Sequence, residues 1–375
     1  MALDIVHAGY LPLLDSAVLV TAARLGFARS HGVDLVLHRE RSWAAIRDRM
    51  SVGHFDCAQM PAPLPIAMSL SVGPLGGEVF APLVLNTGGN AITLSRDLGA
   101  EVIARAPASL DDPRRTGPAL QAALAGLAAA RGRPARFAVV HRFSCHNYDL
   151  RDWLAASGMV PDEDVEITVL PPSMMPDHLS SGQIDGFSAG DPWNTIAVRS
   201  GGGVIAATKA ELSPGSPEKV LGVSPGFLAE RPEVLERTIR CLLDAGAWCG
   251  EEGNHAELAE LLSRKEHVGV DPADLAPGLS GRIEIGGGRT RHVADFLAFA
   301  APGMNPPDPG HAAWLHRQMV RWGHAAGGPE EEAVARGVFR PDLHARAIGG
   351  DPHGAGSVPL GQSAEAPRSD RGAGS

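Results

Sequence analysis

Signals for export and for crossing a membrane are the first things missing from this sequence. The chain opens Met1-Ala2-Leu3-Asp4-Ile5-Val6-His7 and enters a strand pattern at once. It shows no basic leader region, no long apolar stretch and no small-residue cleavage site, so a cytoplasmic location is expected. No apolar run approaches the roughly twenty residues that span a bilayer. Cysteine is scarce: Cys57, Cys145, Cys241 and Cys249 form neither a CxxC pair nor a ladder of spacings and read as four reduced thiols. Positive charge is also short, with 33 Lys and Arg against 43 Asp and Glu, a formal balance of −10. That argues against direct, extended nucleic-acid contact, which needs a basic footprint.

Catalytic signatures are absent as well. There is no P-loop and no HExxH, and Gly286-Gly287-Gly288 reads as a loop because no GxGxxG spacing opens there. His141 and His146 are five residues apart, as are His311 and His316, which is not the helical spacing of a zinc site. Neither an enzyme nor a cofactor or metal is expected.

What is present is a phrase that recurs. Met50-Ser51-Val52-Gly53-His54-Phe55-Asp56-Cys57-Ala58 returns in outline as Ser180-Ser181-Gly182-Gln183-Ile184-Asp185-Gly186-Phe187. Each time a helix ends near Gly, an apolar residue leads into Asp, and a short strand of small residues follows. Two similar α/β units suggest two lobes with a ligand held between them. The spacing predicts strands at Leu3–Ala8, Val33–Arg39, Phe55–Gln59, Arg136–His141, Val165–Leu170, Asp185–Ser188 and Lys219–Val223, with helices between them. Asp15 or Ser16, Ser42 and Ser144 are candidate helix caps, and Asp191-Pro192 reads as a cap followed by Pro at the first helical position. Strands alternating with helices imply doubly wound, mostly parallel sheets. Lobe one is expected over residues 1–90 plus 195–348 and lobe two over 91–194, with crossings near Asn90 and Gly190. Residues 349–375, rich in Gly, Pro, Ser and Ala, read as a disordered tail.

In an open α/β sheet, ligands lie beyond the carboxyl ends of the strands, where helix N-termini present their amides. That rule selects Trp43, the run Asn86-Thr87-Gly88-Gly89-Asn90, His146, Gly190 and Lys219. One ammonium, one indole N–H, one imidazole and several glycine-flanked amides are donors, with no cluster of carboxylates among them. Such a set suits a small, permanently charged oxyanion. Singly, Trp43 also reads as a packing aromatic, His146 as a helix-terminal histidine, Lys219 as a surface charge and the glycines as turn residues.

The order and spacing of Gly9-Tyr10-Leu11-Pro12-Leu13-Leu14-Asp15-Ser16-Ala17, Ser42-Trp43, Leu85-Asn86-Thr87-Gly88-Gly89-Asn90, His146-Asn147-Tyr148-Asp149-Leu150-Arg151-Asp152-Trp153, Gly190-Asp191-Pro192-Trp193-Asn194 and Pro217-Glu218-Lys219-Val220 carry a resemblance. From about Ile5 to Leu343 the chain resembles the nitrate-binding, NrtA-like branch of the periplasmic-binding-protein type II superfamily. Within that branch it is most similar to the NasS-like cytoplasmic nitrate/nitrite sensors. The resemblance implies an α/β two-lobed fold with the ligand cleft between lobes. It also implies anion contacts from Trp43, His146, Gly190 and Lys219, and a further polar contact near Thr87, Gly88 and Gly89. Gly88 stands where transporter-type relatives carry a longer polar side chain, which leaves Asn90, Thr87 or a backbone amide for that contact. Bicarbonate-binding relatives differ at the Lys219 position, so Lys219 favours nitrate or nitrite without a metal. The implied partner is a NasT-like RNA-binding antiterminator. Two further readings use the same fold: the substrate-binding subunit of an ABC importer, and an enzyme of thiamine pyrimidine synthesis, whose cysteine-rich motif this chain lacks.

Overall fold

The computed structural model describes residues 2–106, 112–113 and 116–350. Among them thirteen strands follow in chain order: β1 (Asp4–Tyr10), β2 (Val33–Arg39), β3 (Cys57–Pro61), β4 (Phe80–Gly88), β5 (Asn90–Ser95), β6 (Ala135–Val139), β7 (Val165–Val169), β8 (Gly186–Gly190), β9 (Gly203–Thr208), β10 (Pro217–Val223), β11 (Arg282–Gly286), β12 (Arg289–His292) and β13 (Leu297–Ala298). They make a six-stranded sheet, β13-β4-β10-β3-β1-β2, a five-stranded sheet, β7-β6-β8-β5-β9, and the β11–β12 hairpin. The larger sheet is the heart of lobe one and the smaller that of lobe two.

Neither large sheet is mostly parallel. β1 pairs in parallel with β2 and β3, and β6 with β7 and β8. The return strand β10, however, runs antiparallel between β3 and β4, and β5 runs antiparallel between β8 and β9. Each lobe is therefore a parallel α/β half completed by the strands that cross between lobes. The crossings correct the expected boundaries. The chain leaves lobe one at Gly89, between β4 and β5, but it does not return near Gly190: β9 still belongs to the second sheet, and the return falls between Thr208 and Pro217. The hairpin leans on lobe two, where Arg199 pairs with Glu284 and Arg291 with Glu211. Of the expected tail, only Gly349 and Gly350 are described; residues 351–375 lie outside the described residues.

The recurring phrase has a structural cause. The Asp56 amide donates to the His7 carbonyl (2.9 Å), and its carboxylate accepts from the His7 N–H (2.8 Å). In lobe two the Asp185 amide donates to the Arg136 carbonyl (2.7 Å), and its carboxylate accepts from the Arg136 N–H (2.8 Å). Arg231 pairs with the first aspartate, Arg131 and Arg133 with the second. In each lobe, then, an aspartate clamps the third strand of the parallel half to the first and sets their register before the pleat takes over.

Serines start several helices as expected. Ser42 Oγ accepts from the Ala45 N–H and Ser144 Oγ from the Asn147 N–H, each at 3.2 Å, opening the helices Trp43–Ser51 and Cys145–Ala156. Asp15 and Ser16 are not side-chain caps: Asp15 lies within a 3₁₀ turn, Leu14–Ser16, and Ser16 precedes the helix Ala17–Arg24 without capping it. Asp191 precedes a cis peptide to Pro192 and grips the helix Trp193–Arg199 through Asn194 Nδ2 and Thr195 Oγ1, both at 3.0 Å. The apolar interior is continuous across the lobes: Trp43, Met60, Ile66 and Val220 of lobe one join Phe143, Tyr148, Phe187 and Ala189 of lobe two in one cluster. No helix among the described residues is long and apolar enough to cross a membrane. All four cysteines are buried and unpaired.

Candidate functional site

The two lobes meet over a group of buried polar side chains. Helix capping fixes two of them. Because Ser42 holds the start of its helix, Trp43 takes the first helical position beyond β2 and is fully buried. Because Ser144 does the same after β6, His146 sits in the first turn of the Cys145–Ala156 helix, also fully buried. The third comes from an irregularity. Register shifts between β10 and β4 on either side of Lys219 break the alternation that would send Glu218 and Lys219 to opposite faces. The two side chains instead meet, Lys219 Nζ lying 2.7 Å from Glu218 Oε1.

Lys219 is the centre of this group. Its ammonium also pairs with Asp15 Oδ2 at 2.7 Å and lies 5.5 Å from the Trp43 ring centroid. Glu218 Oε1, which holds Lys219, is 3.5 Å from His146 Nδ1, so ammonium and imidazole share one carboxylate oxygen. Asp15 Oδ1 accepts from Gln59 Nε2 (2.7 Å), and Gln59 Oε1 from the Leu11 N–H (3.3 Å). Beyond Glu218 the network continues to Lys209 Nζ (3.5 Å) and from there to Asp149 Oδ2 (3.4 Å). Gly190 faces the same place: a β-carbon built there would lie 3.5 Å from Asp15 Oδ2 and 3.6 Å from Asn90 Oδ1.

The electrostatics follow from burial. Burial opposes charge on Lys219, but Asp15 and Glu218 outweigh it and hold the ammonium. Burial would raise Glu218, yet Lys219, with His146 and Lys209, brings it down to about 2. Asp15 is left raised by its own burial, only partly offset by Lys219. Burial drives His146 down to about 3 despite Glu218, so its imidazole is neutral and offers one N–H. Several polar atoms have no hydrogen-bond partner within the chain: Trp43 Nε1, both His146 nitrogens, both side-chain polar atoms of Asn90, Asn86 Oδ1 and Glu218 Oε2. Buried polar atoms are paired in the great majority of cases, so a concentration of unpaired ones marks where a ligand's polar atoms fit.

Trp43, His146, Gly190, Lys219 and Asn90 thus come together. Thr87, Gly88 and Gly89 do not. Thr87 turns its hydroxyl to Met304 Sδ (3.7 Å), and Gly89 spends its N–H on the Phe296 carbonyl. A β-carbon on Gly88, where φ is +68°, would lie 2.1 Å from that same oxygen, so no side chain fits there and the glycine serves the docking of β13. The expectation of a donor set free of carboxylates also fails: Asp15 and Glu218 flank the ammonium, with Asp149 behind Lys209. Glu218 was legible as a neighbour of Lys219, but strand alternation would place it on the other face. Asp15 carried no signal beyond its look as a cap.

Comparison with known proteins agrees with this architecture. The chain is 32% identical over 344 residues to the nitrate import ATP-binding protein NrtC of Synechocystis sp., covering 90% of this chain and 49% of that protein. It is 35% identical over 324 residues to the bicarbonate transport ATP-binding protein CmpC of Synechococcus elongatus, covering 84% and 45%. The chain therefore spans about half the length of these two relatives. Among solved structures it is similar to the periplasmic nitrate-binding protein NrtA from Synechocystis PCC 6803, with a TM-score of 0.82 and 24% identity over 92% of this chain and 89% of that one. That likeness establishes the α/β two-lobed periplasmic-binding-protein fold. With residues 3–263 matching its family model, the chain belongs to the NMT1-like family.

Proposed function

We propose that the chain binds nitrate or nitrite where its lobes meet, and that it does so as a cytoplasmic sensor which holds a NasT-like antiterminator until the anion arrives. The observation that carries the ligand assignment is the convergence of unpartnered donors, Trp43 Nε1–H, the neutral His146 ring and the Asn90 amide, on a buried ammonium. Nitrate is weakly basic and easily desolvated, so neutral directional donors with one compensated lysine suit it better than a doubly charged anion. The names of the relatives, nitrate import among them, support an inorganic oxyanion. Calorimetry with nitrate, nitrite, bicarbonate and sulfate, repeated on Lys219→Ala, is the test. Nitrate or nitrite should bind and the variant should lose it; preference for bicarbonate or sulfate overturns the assignment.

The sensor role requires the anion to favour free protein over the complex. Mixing the protein with a NasT-like partner and titrating nitrate should dissociate the pair. A second reading, the anion-binding part of an ABC importer, is favoured by the transport names of both relatives. Cell fractionation separates the two: protein on the outer side of the membrane supports the importer, protein in the cytosol the sensor.

A further inference from the structure

The buried network around Lys219 has an imbalance of charge. Asp15, Lys219, Glu218, Lys209 and Asp149 form one continuous chain of contacts, with distances of 2.7, 2.7, 3.5 and 3.4 Å between successive members. Three carboxylates face two ammoniums, and His146 is neutral. Lys219 is shared between two carboxylates before any ligand arrives. A monoanion entering beside it would leave two net negative charges in a place where none of these residues is more than 6% exposed. Uncompensated buried charge is too costly to keep, and such sites neutralise it by binding a proton.

We propose that the anion enters this site together with a proton, which the Asp15 carboxylate receives, so that the ligand replaces Asp15 as the negative partner of Lys219. The proposal rests on the ligand reading above and adds the proton as its co-ligand. Geometry selects the acceptor. Glu218 touches two ammoniums, and Asp149 has Lys209 and the Ser213 hydroxyl (2.9 Å) and lies at the far end of the chain. Asp15 has one ammonium and borders Gly190 and Asn90, where the anion would lie. The charged groups facing it are Lys219 and Glu218 of β10; β3 presents the neutral Gln59, and the Asp191 carboxylate beyond β8 is occupied by Asn194 and Thr195. Burial already raises Asp15 toward protonation, and the protonated carboxyl becomes a donor in a site of donors.

Calorimetric titration with sodium nitrate in buffers of different ionisation enthalpy counts the protons taken up. Wild type should approach one proton per nitrate above the ionisation of Asp15 in the free protein, and affinity should fall about tenfold per pH unit there. Asp15→Asn should bind nitrate without proton uptake and with affinity independent of pH; Asp15→Ser serves if the amide variant does not fold. Nitrate binding with no proton taken up at any pH from about 5.5 to about 9, where histidines and raised carboxyls titrate, overturns the proposal, and so does uptake that survives in the Asp15 variants. Failure of both nitrate and nitrite to bind wild type at any pH overturns the ligand reading itself, a result distinct from binding without protons.

Discussion

At the scale of single residues, the Trp43 indole separates stability from binding. Its Nε1–H is buried without a partner, a cost that the proposed anion would relieve. Trp43→Phe keeps an aromatic face for Lys219 and removes only that donor. Thermal unfolding should show a midpoint unchanged or slightly raised, while calorimetry shows nitrate affinity lowered roughly tenfold, the worth of one hydrogen bond of about 1.4 kcal/mol. His146 makes a prediction about acid. Its folded pKa is about 3, below the unfolded value of 6.5, so the unfolded chain takes up a proton first as pH falls. The stability His146 contributes is whole above 6.5 and lost progressively toward 3. Between pH 6.5 and 5, His146→Gln should therefore lose about 2 kcal/mol less stability than wild type in denaturant titrations. The positions of Trp43, His146 and Lys219 were legible because strand ends and serine caps mark where helix starts point. Asp15 and Glu218 were not, since their roles depend on a contact between distant segments and on a local break in strand alternation.

At the scale of elements, two glycines that look alike in sequence behave oppositely. In β8, Gly190 has room for a methyl group, its nearest neighbours lying at 3.5–3.7 Å, and that methyl would project between Asp15 and Asn90. Gly190→Ala should fold like wild type and bind nitrate at least roughly tenfold more weakly, because close approach to the backbone is lost. In Gly88, positive φ and the Phe296 carbonyl leave no room, so Gly88→Ala should lower stability by about 1–3 kcal/mol through strain and a displaced β13. Binding and unfolding measured on both variants check the pair. Helix and strand alternation was readable along both parallel halves, where period and caps agree. The antiparallel strands β5 and β9 went unread, because they are buried on both faces and show no period, and pairing direction leaves no local mark.

At the scale of the whole molecule, the lobes are joined by side-chain contacts beyond the charged network as well as by the network itself. Asp152, on the same helix as His146, accepts from Arg321 (3.0 Å) and from Trp322 Nε1 (3.2 Å) of lobe one, and Tyr148 Oη lies 3.3 Å from His324 Nδ1. The Asp152 contacts are partly exposed and each is worth about 1 kcal/mol or less, whereas the Tyr148–His324 contact is buried. Asp152→Ala should shift the unliganded protein toward a more open form, seen as a larger radius in small-angle scattering, and weaken nitrate binding a few-fold without changing any group at the ligand.

The two crossovers, at Gly89 and between Thr208 and Pro217, adjoin Asn90 on one strand and Glu218 and Lys219 on the other. The charged centre therefore lies beside the two places where the chain passes between the lobes. An anion of the proposed kind, by changing the contacts of Asn90, Glu218 and Lys219, would act on the very strands that connect one half of the molecule to the other.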